Sequence, residues 1–405
     1  MRSSRRFCII VYLLISKSYK WENCLKDSKS EENIEDTGEI MLNGFRLQDL
    51  KNAPFPPPGP FPLDMPLPDN RKTLQISMFT AKNGRGLGQM LFELSALFGI
   101  SKQLGRVSTI NRGGGVWNTV TNAVTQHFPV FGSMFEMTDI EDSAAINVNL
   151  NIRFCCKFED PRNLKSVEQQ HLLLNGVYFQ SFKYFHDFQS EIRMALTPSP
   201  DSALRAELML PADFRDDFII CVHTKQPMIQ DSGLSKPSDP IFTRRATDFL
   251  VSKYKTPSKR VTVVIFGNDP IWSQTLFHDK IGKSNYFSKF NDSSDSILPT
   301  DSPDYTALLT LGLSAIDDVA FSRNFCDSIL LTAPTSSFGW WLGYLAKDTA
   351  EIYFRYSGFA ELLDPKEAPD QLYAEMRQID YYPNSWNKLR SSRFDKKMKE
   401  SYNFK

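Results

Sequence analysis

Residues 326–346 read CDSILLTAPTSSFGWWLGYLA, and this stretch decides the fold. Its first half contains a short apolar run, Ile329–Thr332, which predicts a buried strand. Its second half, Ser336–Ala346, predicts a helix that begins with hydroxyl residues, the usual residues at a helix N-cap. A strand that passes within a few residues into a helix is the repeating unit of a parallel α/β sheet.

Neighbouring segments repeat this pattern. The apolar runs Phe218–Val222, Val261–Phe266 and Ile352–Tyr356 predict three more strands, and Tyr305–Phe321 predicts a helix by composition and spacing. Strands that alternate with helices indicate βαβ units. The last third of the chain is therefore predicted to be a parallel sheet with helices between its strands.

Candidate site residues lie at the ends of these predicted strands, because ligands of parallel sheets bind beyond the carboxyl ends. The three strand ends read His223-Thr224-Lys225, Gly267-Asn268-Asp269 and Pro334-Thr335-Ser336-Ser337. Hydroxyl residues before a helix present its N–H groups to a phosphate, and a cation opposite them would complete a diphosphate cradle. The adjacent Trp340 and Trp341 are interpreted either as walls of a sugar or base pocket or as core residues.

An earlier strand, turn and helix are predicted at Leu74–Phe79, Asn83–Gly88 and Met90–Leu104. The glycine turn resembles a dinucleotide fingerprint, but Leu91 stands where its third glycine would be, which argues against NAD or FAD. An anion at this helix N-terminus remains an alternative. Residues 106–212 are harder to interpret, with a strand candidate at Ala144–Leu150 and an aromatic stretch, 178–188, that predicts core packing.

Composition and cysteine usage restrict the class of protein. The chain has 405 residues with 47 Lys+Arg and 47 Asp+Glu, so it lacks the basic excess of a nucleic-acid-binding protein. There is no Cys-x-x-Cys pair and no Asp-x-Asp after a predicted strand, so we predict no metal site. Cys221 and Cys326 are interpreted as buried small residues, and Cys155-Cys156 as candidates for disulfides.

The N-terminus has the layout of a secretory signal. Arg2, Arg5 and Arg6 precede the apolar run Phe7–Ile15, and the sequence leaves a cleaved signal and a short membrane anchor equally open. A polar and then Pro-rich segment follows, which predicts an extended stem. The sequon that begins at Asn291 would suit a surface glycan.

Several of these segments, in this order, are similar to the galactoside alpha-1,2-fucosyltransferase family. Gly86–Glu93 (GLGQMLFE) resembles its Arg-Leu-Gly-Asn-Gln-Met-Phe-Glu opening, and Val222–Gln226 (VHTKQ) resembles its Val-His-x-Arg-Arg-Gly-Asp strand end. Asn324–Leu345 resembles its block of strand, hydroxyl residues, Phe-Gly-Trp-Trp and helix. Phe266-Gly267-Asn268-Asp269 stands where the family has a Phe-Gly-Asp-like strand end, and the resemblance covers about residues 74–385.

The resemblance implies an α/β, GT-B-type glycosyltransferase that moves fucose from GDP-fucose to a terminal galactose in alpha-1,2 linkage, with inversion. It implies that the reaction uses GDP-fucose as donor substrate and needs neither a cofactor nor a metal ion. Its partners would be GDP-fucose, a galactose-terminated glycan and the Golgi membrane, with a lumenal catalytic domain in single-pass type II orientation. The implied organisation is a signal or anchor at 1–16, a stem at 17–72, an N-terminal catalytic half at 73–215, a Rossmann-like donor half at 216–385 and a basic tail at 386–405.

The matching positions imply site residues. Those implied to bind the donor nucleotide and its diphosphate are Gly88, Gln89, Lys225, Gln226, Thr335, Ser336, Ser337 and Phe338, and the candidates for the general base are His223 and Asp269. The chain departs from the family at 225–228, where Lys-Gln-Pro-Met replaces Arg-Arg-Gly-Asp. A lysine keeps one charge but loses the bidentate fork of arginine. Two functions therefore remain: a retained fucosyltransferase, and a non-catalytic relative that binds a nucleotide sugar or a glycan.

Overall fold

The computed structural model describes residues 41–42, 45–46, 70–83, 86–140, 144–150, 156–227, 236–281, 303–310, 313–356, 371–373, 376–391 and 398–401. The chain divides into two compact units, Met1–Leu63 and Asp64–Lys405. In the first unit Met41–Leu42 pairs antiparallel with Phe45–Arg46. The predicted signal segment Phe7–Ile15, the Pro-rich stretch 53–69 and Asn291 lie outside the described residues. No helix within the described ranges is long and apolar enough to cross a membrane.

The described part of the second unit contains two large sheets, of which the first has five strands. These are β1 (Thr73–Ile76), β2 (Val107–Asn111), β3 (Glu136–Thr138), β4 (Ile146–Asn149) and β5 (His171–Asn175). Their spatial order is β3-β2-β1-β5-β4, and every neighbouring pair is parallel. The central strand β1 is buried along its whole length, as expected for a strand covered on both faces.

The second sheet has seven strands. These are β6 (Phe218–Thr224), β7 (Val261–Gly267), β8 (Thr306–Leu309), β9 (Ser328–Leu331), β10 (Glu351–Arg355), β13 (Asn387–Ser391) and β14 (Met398–Ser401). Strands β11 (Gln371–Tyr373) and β12 (Met376–Arg377) form a separate antiparallel pair. The order is β8-β7-β6-β9-β10-β13-β14, parallel except for the last pair. The α/β class and the parallel-sheet C-terminal half are confirmed.

Helices cover the faces of both sheets. They are α1 (Phe79–Lys82), α2 (Leu87–Leu104), α3 (Val116–Val120), α4 (Pro129–Gly132), α5 (Gln189–Ala195), α6 (Pro200–Met209), α7 (Pro240–Tyr254), α8 (Pro270–Leu276), α9 (Ala315–Phe325), α10 (Ser337–Leu345) and α11 (Gln378–Tyr381). Single helical turns of other types lie at Gly113–Gly115, Thr121–Thr125, Pro161–Leu164, Phe182–Tyr184, His186–Phe188 and Ala212–Phe214. Helix α2 ends at Gly105, which adopts a left-handed conformation, as predicted for a glycine C-cap.

The predicted helix Tyr305–Phe321 is wrong in its first half. Thr306–Leu309 is an edge strand that pairs with β7, and the helix begins only at Ala315. A short apolar run cannot be assigned to strand or helix from its periodicity alone. The true start carries a signal, because Ser314 and Asp317 form a capping box.

One hydrophobic core serves both sheets. Phe92 of α2 lies against Trp340 and Trp341 of α10, with ring centroids 4.6 and 5.2 Å apart. It also stacks on Tyr381 of α11 at 5.9 Å. The buried cluster that contains these rings runs from β1 through Trp386, so residues from both halves of the unit share it. A smaller cluster lies between the other face of the second sheet and α7.

Cys221 and Cys326 are buried, as predicted, but they are not separate residues. Their sulfur atoms form a disulfide that links β6 to the turn between α9 and β9. Both residues are fully buried. Cys156 is disulfide-bonded as well, as predicted for one of the Cys155-Cys156 pair.

Candidate active site

Strand β6 of the second sheet ends in His223 and Thr224. The side chain of His223 is only 4% exposed, and its Nε2 atom lies 2.9 Å from Oγ of Ser336. Burial, with a smaller contribution from the positive charge of Lys225, lowers the pKa of His223 to about 3. The imidazole is therefore neutral at pH 7. Its Nδ1 atom has no hydrogen-bond partner among the described residues.

Ser336 is the N-cap of α10, as its position before the predicted helix indicated. Its Oγ accepts a hydrogen bond from the backbone N–H of Gly339 at 3.2 Å. The first N–H groups of a helix have no partners within the helix and carry partial positive charge. Ser336, Ser337 and Phe338 therefore form the positive end of α10 beside His223.

Gly339 permits this close approach. A Cβ atom at this position would lie 2.1 Å from Cδ2 of His223, far inside van der Waals contact. Any other residue would push the helix away from the strand. Gly339 is thus a site residue whose requirement for glycine comes from His223, a neighbour that lies far away in the chain.

The backbone of Lys225 is held by a chain of hydroxyl groups. Its N–H donates to Oγ of Ser238 at 3.0 Å, and that hydroxyl lies 2.6 Å from Oγ1 of Thr332. Thr332 in turn donates to the carbonyl oxygen of His223 at 2.8 Å. These bonds connect β6, β9 and the segment before α7, so the strand end that carries His223 and Lys225 is fixed from two sides.

The remaining predicted residues are engaged by the protein itself. The side-chain amide of Gln226 donates to the carbonyl oxygen of Ser238 at 3.2 Å, and its backbone N–H donates to Oδ1 of Asn268 at 2.8 Å. Oδ1 of Asp269 caps α8 by accepting from the N–H of Trp272 at 2.9 Å. Oγ1 of Thr335 accepts from the N–H of Lys236 at 2.7 Å.

The N-terminus of α2 meets the N-terminus of α10. A Cβ atom on Gly88 would lie 2.4 Å from the backbone nitrogen of Phe338, so the two backbones touch. The indole N–H of Trp341 donates to the carbonyl oxygen of Gly88 at 2.8 Å. Gln89 follows in the first turn of α2 and is half-buried. The structure thus brings Gly88 and Gln89 to Ser336, Ser337 and Phe338, as the predicted donor site requires.

Trp340 and Trp341 are core residues rather than walls of a pocket. Both side chains are fully buried. The indole N–H of Trp340 donates to the carbonyl oxygen of Tyr381 at 2.7 Å, so both indoles have protein partners. Within the described ranges, no group of three or more His, Cys, Asp or Glu side chains is placed to hold a metal ion.

Known proteins resemble the chain along nearly its whole length. A galactoside 2-alpha-L-fucosyltransferase of Caenorhabditis elegans is 39% identical over 393 residues, which is 95% of each chain. The chain belongs to the galactoside 2-alpha-L-fucosyltransferase family. It is thus a fucosyltransferase by family, as the sequence predicted. A putative galactoside 2-alpha-L-fucosyltransferase of the same organism is 27% identical, over 85% of each chain.

The other similarities to known proteins are weaker. A second C. elegans protein named galactoside 2-alpha-L-fucosyltransferase is 28% identical to the chain, over 80% of this chain and 82% of its own. Crystal structures of the fucosyltransferase NodZ from Bradyrhizobium match 68% of this chain and 94% of their own, at 16% identity and a TM-score of 0.39. Nothing about this family member is inferred from so distant a likeness. No protein-family model matches the chain.

Proposed function

We propose that this protein transfers L-fucose from GDP-fucose to the terminal galactose of a glycan, in alpha-1,2 linkage and with inversion. Membership of the family supports the reaction, and the names of the relatives support the linkage and the acceptor. The observation that carries the donor site is the meeting of two helix N-termini, at Gly88 and Phe338, beside His223 and Lys225.

The donor site is electropositive without a metal ion. The first turns of α2 and α10 each direct partial positive charge at their N-termini, and Lys225 adds a full charge. The diphosphate of GDP gains negative charge as the bond to fucose breaks. Fixed donors placed where that charge develops stabilise the transition state more than the ground state. Lys225, Ser336 and Ser337 are therefore assigned to the leaving group.

His223 is assigned to the diphosphate rather than to the acceptor hydroxyl. A base with a pKa of about 3 has little affinity for the proton that the hydroxyl must lose. Its Nδ1 atom, however, is buried with no partner in the described part of the chain, and an N–H there could donate to a phosphate oxygen. Asp269 is a poor alternative as base because one of its oxygens already caps α8.

Calorimetric titration with GDP tests the donor site, and turnover of GDP-fucose on a galactoside tests the reaction. We expect both binding and turnover. Binding without turnover would favour the alternative of a non-catalytic relative, for which the Lys225-Gln226-Pro227 departure from the family is the motive. Absence of GDP binding would overturn the proposal.

A matched pair of lysine variants locates the site. Lys225→Ala should weaken GDP binding about tenfold at unchanged melting temperature, since one charge-assisted contact of about 1.5 kcal/mol is lost. Lys259→Ala removes an exposed lysine before β7, at the opposite end of the sheet, and should leave GDP affinity unchanged. Restoring the family motif with Lys225→Arg and Gln226→Arg should raise donor affinity, because arginine grips phosphate with two parallel bonds.

The proposed compartment is the Golgi lumen, with the N-terminal segment as anchor or cleaved signal. The basic residues before Phe7–Ile15 support entry into the secretory pathway. The buried disulfides at Cys221–Cys326 and at Cys156 support an oxidising compartment. In expressed full-length protein, glycosidase treatment should increase gel mobility, and Asn291→Gln should abolish that shift. A cytosolic protein without a shift would contradict this localisation.

A further inference from the structure

The first sheet has a carboxyl edge of its own, of which only the start of α2, at Gly88 and Gln89, is assigned to the donor. Strand β1 leads through Ser77 and Met78 into α1 and α2, and its neighbour β5 leads through Gly176 into Tyr178. Because α2 begins at this edge and its Gly88 touches Phe338, the edge meets the donor site. Parallel sheets bind ligands at their carboxyl edges, and a transferase has a second substrate to place.

The backbone at this edge is strained. Met78, Tyr178 and Phe179 have φ angles of 46°, 61° and 48°, in the left-handed region that residues other than glycine rarely adopt. They are three of the four such residues in the described part of the chain. Strain of this kind costs about 1–3 kcal/mol per residue and concentrates at binding and catalytic sites. The strain therefore singles out this edge.

The strained turns hold two aromatic rings together at this edge. Phe79 and Tyr178 pack edge to face, with ring centroids 5.2 Å apart. Tyr178 is buried, with 5% of its surface exposed, in agreement with the core packing predicted for 178–188. Phe79 is half-buried, so part of its ring faces outward. Tyr178 therefore supports from within the one ring of the pair that is partly exposed.

Amide side chains line the same edge. Asn175 ends β5 and lies in register with Asn149, which ends β4 and is exposed. The hydroxyl of Ser77 donates to the carbonyl oxygen of Gly176 at 2.8 Å. This bond links the end of β1 to the end of β5, the strand that carries Asn175. Neighbouring strands are about 4.8 Å apart, so the ends of β1, β5 and β4 span about 10 Å along this edge.

A buried carboxylate fixes the turn that carries Phe79. Glu93 of α2 is only 1% exposed, and its two oxygens accept the backbone N–H of Thr80 at 2.9 and 3.1 Å. A buried carboxyl group is costly unless it is hydrogen-bonded, and here the bonds come from the strained turn itself. Glu93 thus holds Phe79 in place from inside the protein.

We propose that Phe79, supported by the buried Tyr178, forms with Asn149 and Asn175 the binding site for the terminal sugar ring of the acceptor, and that Glu93 is a positioning residue for it. Aromatic rings pack against the C–H face of a sugar, and amides exchange hydrogen bonds with its hydroxyl groups. The site combines an apolar surface with a few placed polar groups, the usual composition of a small-molecule site. This inference rests on the proposed function.

Phe79→Ala should raise the KM for a galactoside about tenfold or more, equivalent to about 1.4 kcal/mol, at unchanged affinity for GDP. Phe79→Tyr should restore it. The control is Phe218→Ala, which removes an equally half-buried ring, stacked on Tyr254, at the amino end of the second sheet. A folded Phe79→Ala variant with wild-type KM would overturn the inference.

A second variant keeps the test valid if Phe79→Ala does not fold. Asn149→Ala changes an exposed side chain and should raise the galactoside KM several-fold, whereas Asn122→Ala, also exposed and in the same half, should not. Equal galactoside KM values for Asn149→Ala and Asn122→Ala would contradict the assignment of Asn149 to the acceptor site. Glu93→Gln should raise KM at unchanged GDP affinity, and an unchanged KM would remove its positioning role.

One experiment separates this inference from the proposed function. Binding of methyl β-galactoside is measured by saturation-transfer NMR in the presence of GDP. If wild-type protein binds GDP and the galactoside, loss of only the galactoside signal in Phe79→Ala supports the acceptor site. Retention of that signal in the folded variant would overturn the acceptor site alone. Wild-type protein that fails to bind GDP would instead overturn the proposed function.

Discussion

Gly88 and Phe338 lie so close that a methyl group on Gly88 would come within 2.4 Å of the Phe338 nitrogen. Gly88 opens the helix after the central strand of one sheet, and Phe338 opens the helix after a central strand of the other. The contact therefore places two helix N-termini, and two carboxyl edges, at one point. Both the donor site and the inferred acceptor site depend on it.

Gly88→Ala should destabilise the protein by about 3 kcal/mol or more, because backbone atoms of Ser337 and Phe338 stand in the way and cannot rotate aside. Thermal or denaturant unfolding measures this loss. Gly86→Ala is the matched control, since a Cβ there would meet only the end of the Gln89 side chain, at 3.6 Å. A cost for Gly88→Ala no larger than that of the control would show that the contact is not tight.

Ser336→Ala should separate capping from donor binding. It removes the N-cap of α10, at a cost of about 1 kcal/mol, and also the hydrogen bond to His223, so GDP should bind about five- to tenfold more weakly. Ser314→Ala removes the N-cap of α9 and should cost similar stability without changing GDP affinity. If the two variants lost GDP affinity equally, Ser336 would act only through stability.

Glu93 should make stability depend on pH. Burial raises its pKa from an ordinary 4.5 to about 7, although hydrogen bonds from the backbone of Thr80 lower it in part. The folded protein therefore binds this proton more tightly than the unfolded chain does. Ionisation of Glu93 removes stability as the pH rises from about 4.5 to about 7, by up to roughly 3 kcal/mol.

Glu93→Gln should abolish this dependence, because glutamine does not titrate. The free energy of unfolding of the variant, minus that of wild type, should increase between about pH 5 and about pH 8, as measured by urea denaturation. A difference that stays constant over that range would mean that folding leaves the pKa of Glu93 at its ordinary value. Lys82, whose charge lowers this pKa slightly, offers a check, since Lys82→Met should move the transition upward.

The Cys221–Cys326 bond should contribute about 4–5 kcal/mol of stability in the chain-entropy account, since it closes a loop of 105 residues. The double variant Cys221→Ala, Cys326→Ala should lose this amount in urea denaturation. Cys221→Ala alone should lose about as much, because a single cysteine cannot make the bond. A double variant within about 1 kcal/mol of wild type would show that the bond adds little.

Much of the second sheet could be predicted from sequence, for a physical reason. Strands such as Phe218–Thr224 and Val261–Gly267 are buried on both faces, so they are continuous apolar runs. The prediction of His223 as a site residue followed from the end of the first of these strands. That of Ser336 and Ser337 followed from the end of the predicted strand Ile329–Thr332. Strands of the first sheet were less visible: β4 was predicted at Ala144–Leu150, but β3 has only three residues and leaves no hydrophobic pattern.

Contacts between distant parts of the chain could not be predicted. The approach of Gly339 to His223, the pairing of Cys221 with Cys326 and the bonds from Thr80 to Glu93 join segments whose separation leaves no local signal. The left-handed backbone at Tyr178 is equally hidden, since tyrosine has no preference for it. Of the predicted site, Gln226 and Thr335 share strand ends with His223 and Ser336, and Asp269 follows the neighbouring strand β7, but all three bond within the protein.

The single core that runs through both sheets has a consequence for how the enzyme can be handled. Phe92, Trp340 and Tyr381 contact one another from three separate helices, so cutting the chain between the two sheets would expose aromatic surface on each fragment. Neither sheet is then an excisable module, and the recombinant unit to express is the whole span from Asp64 to Lys405. Calorimetry of that span should show one cooperative transition rather than two.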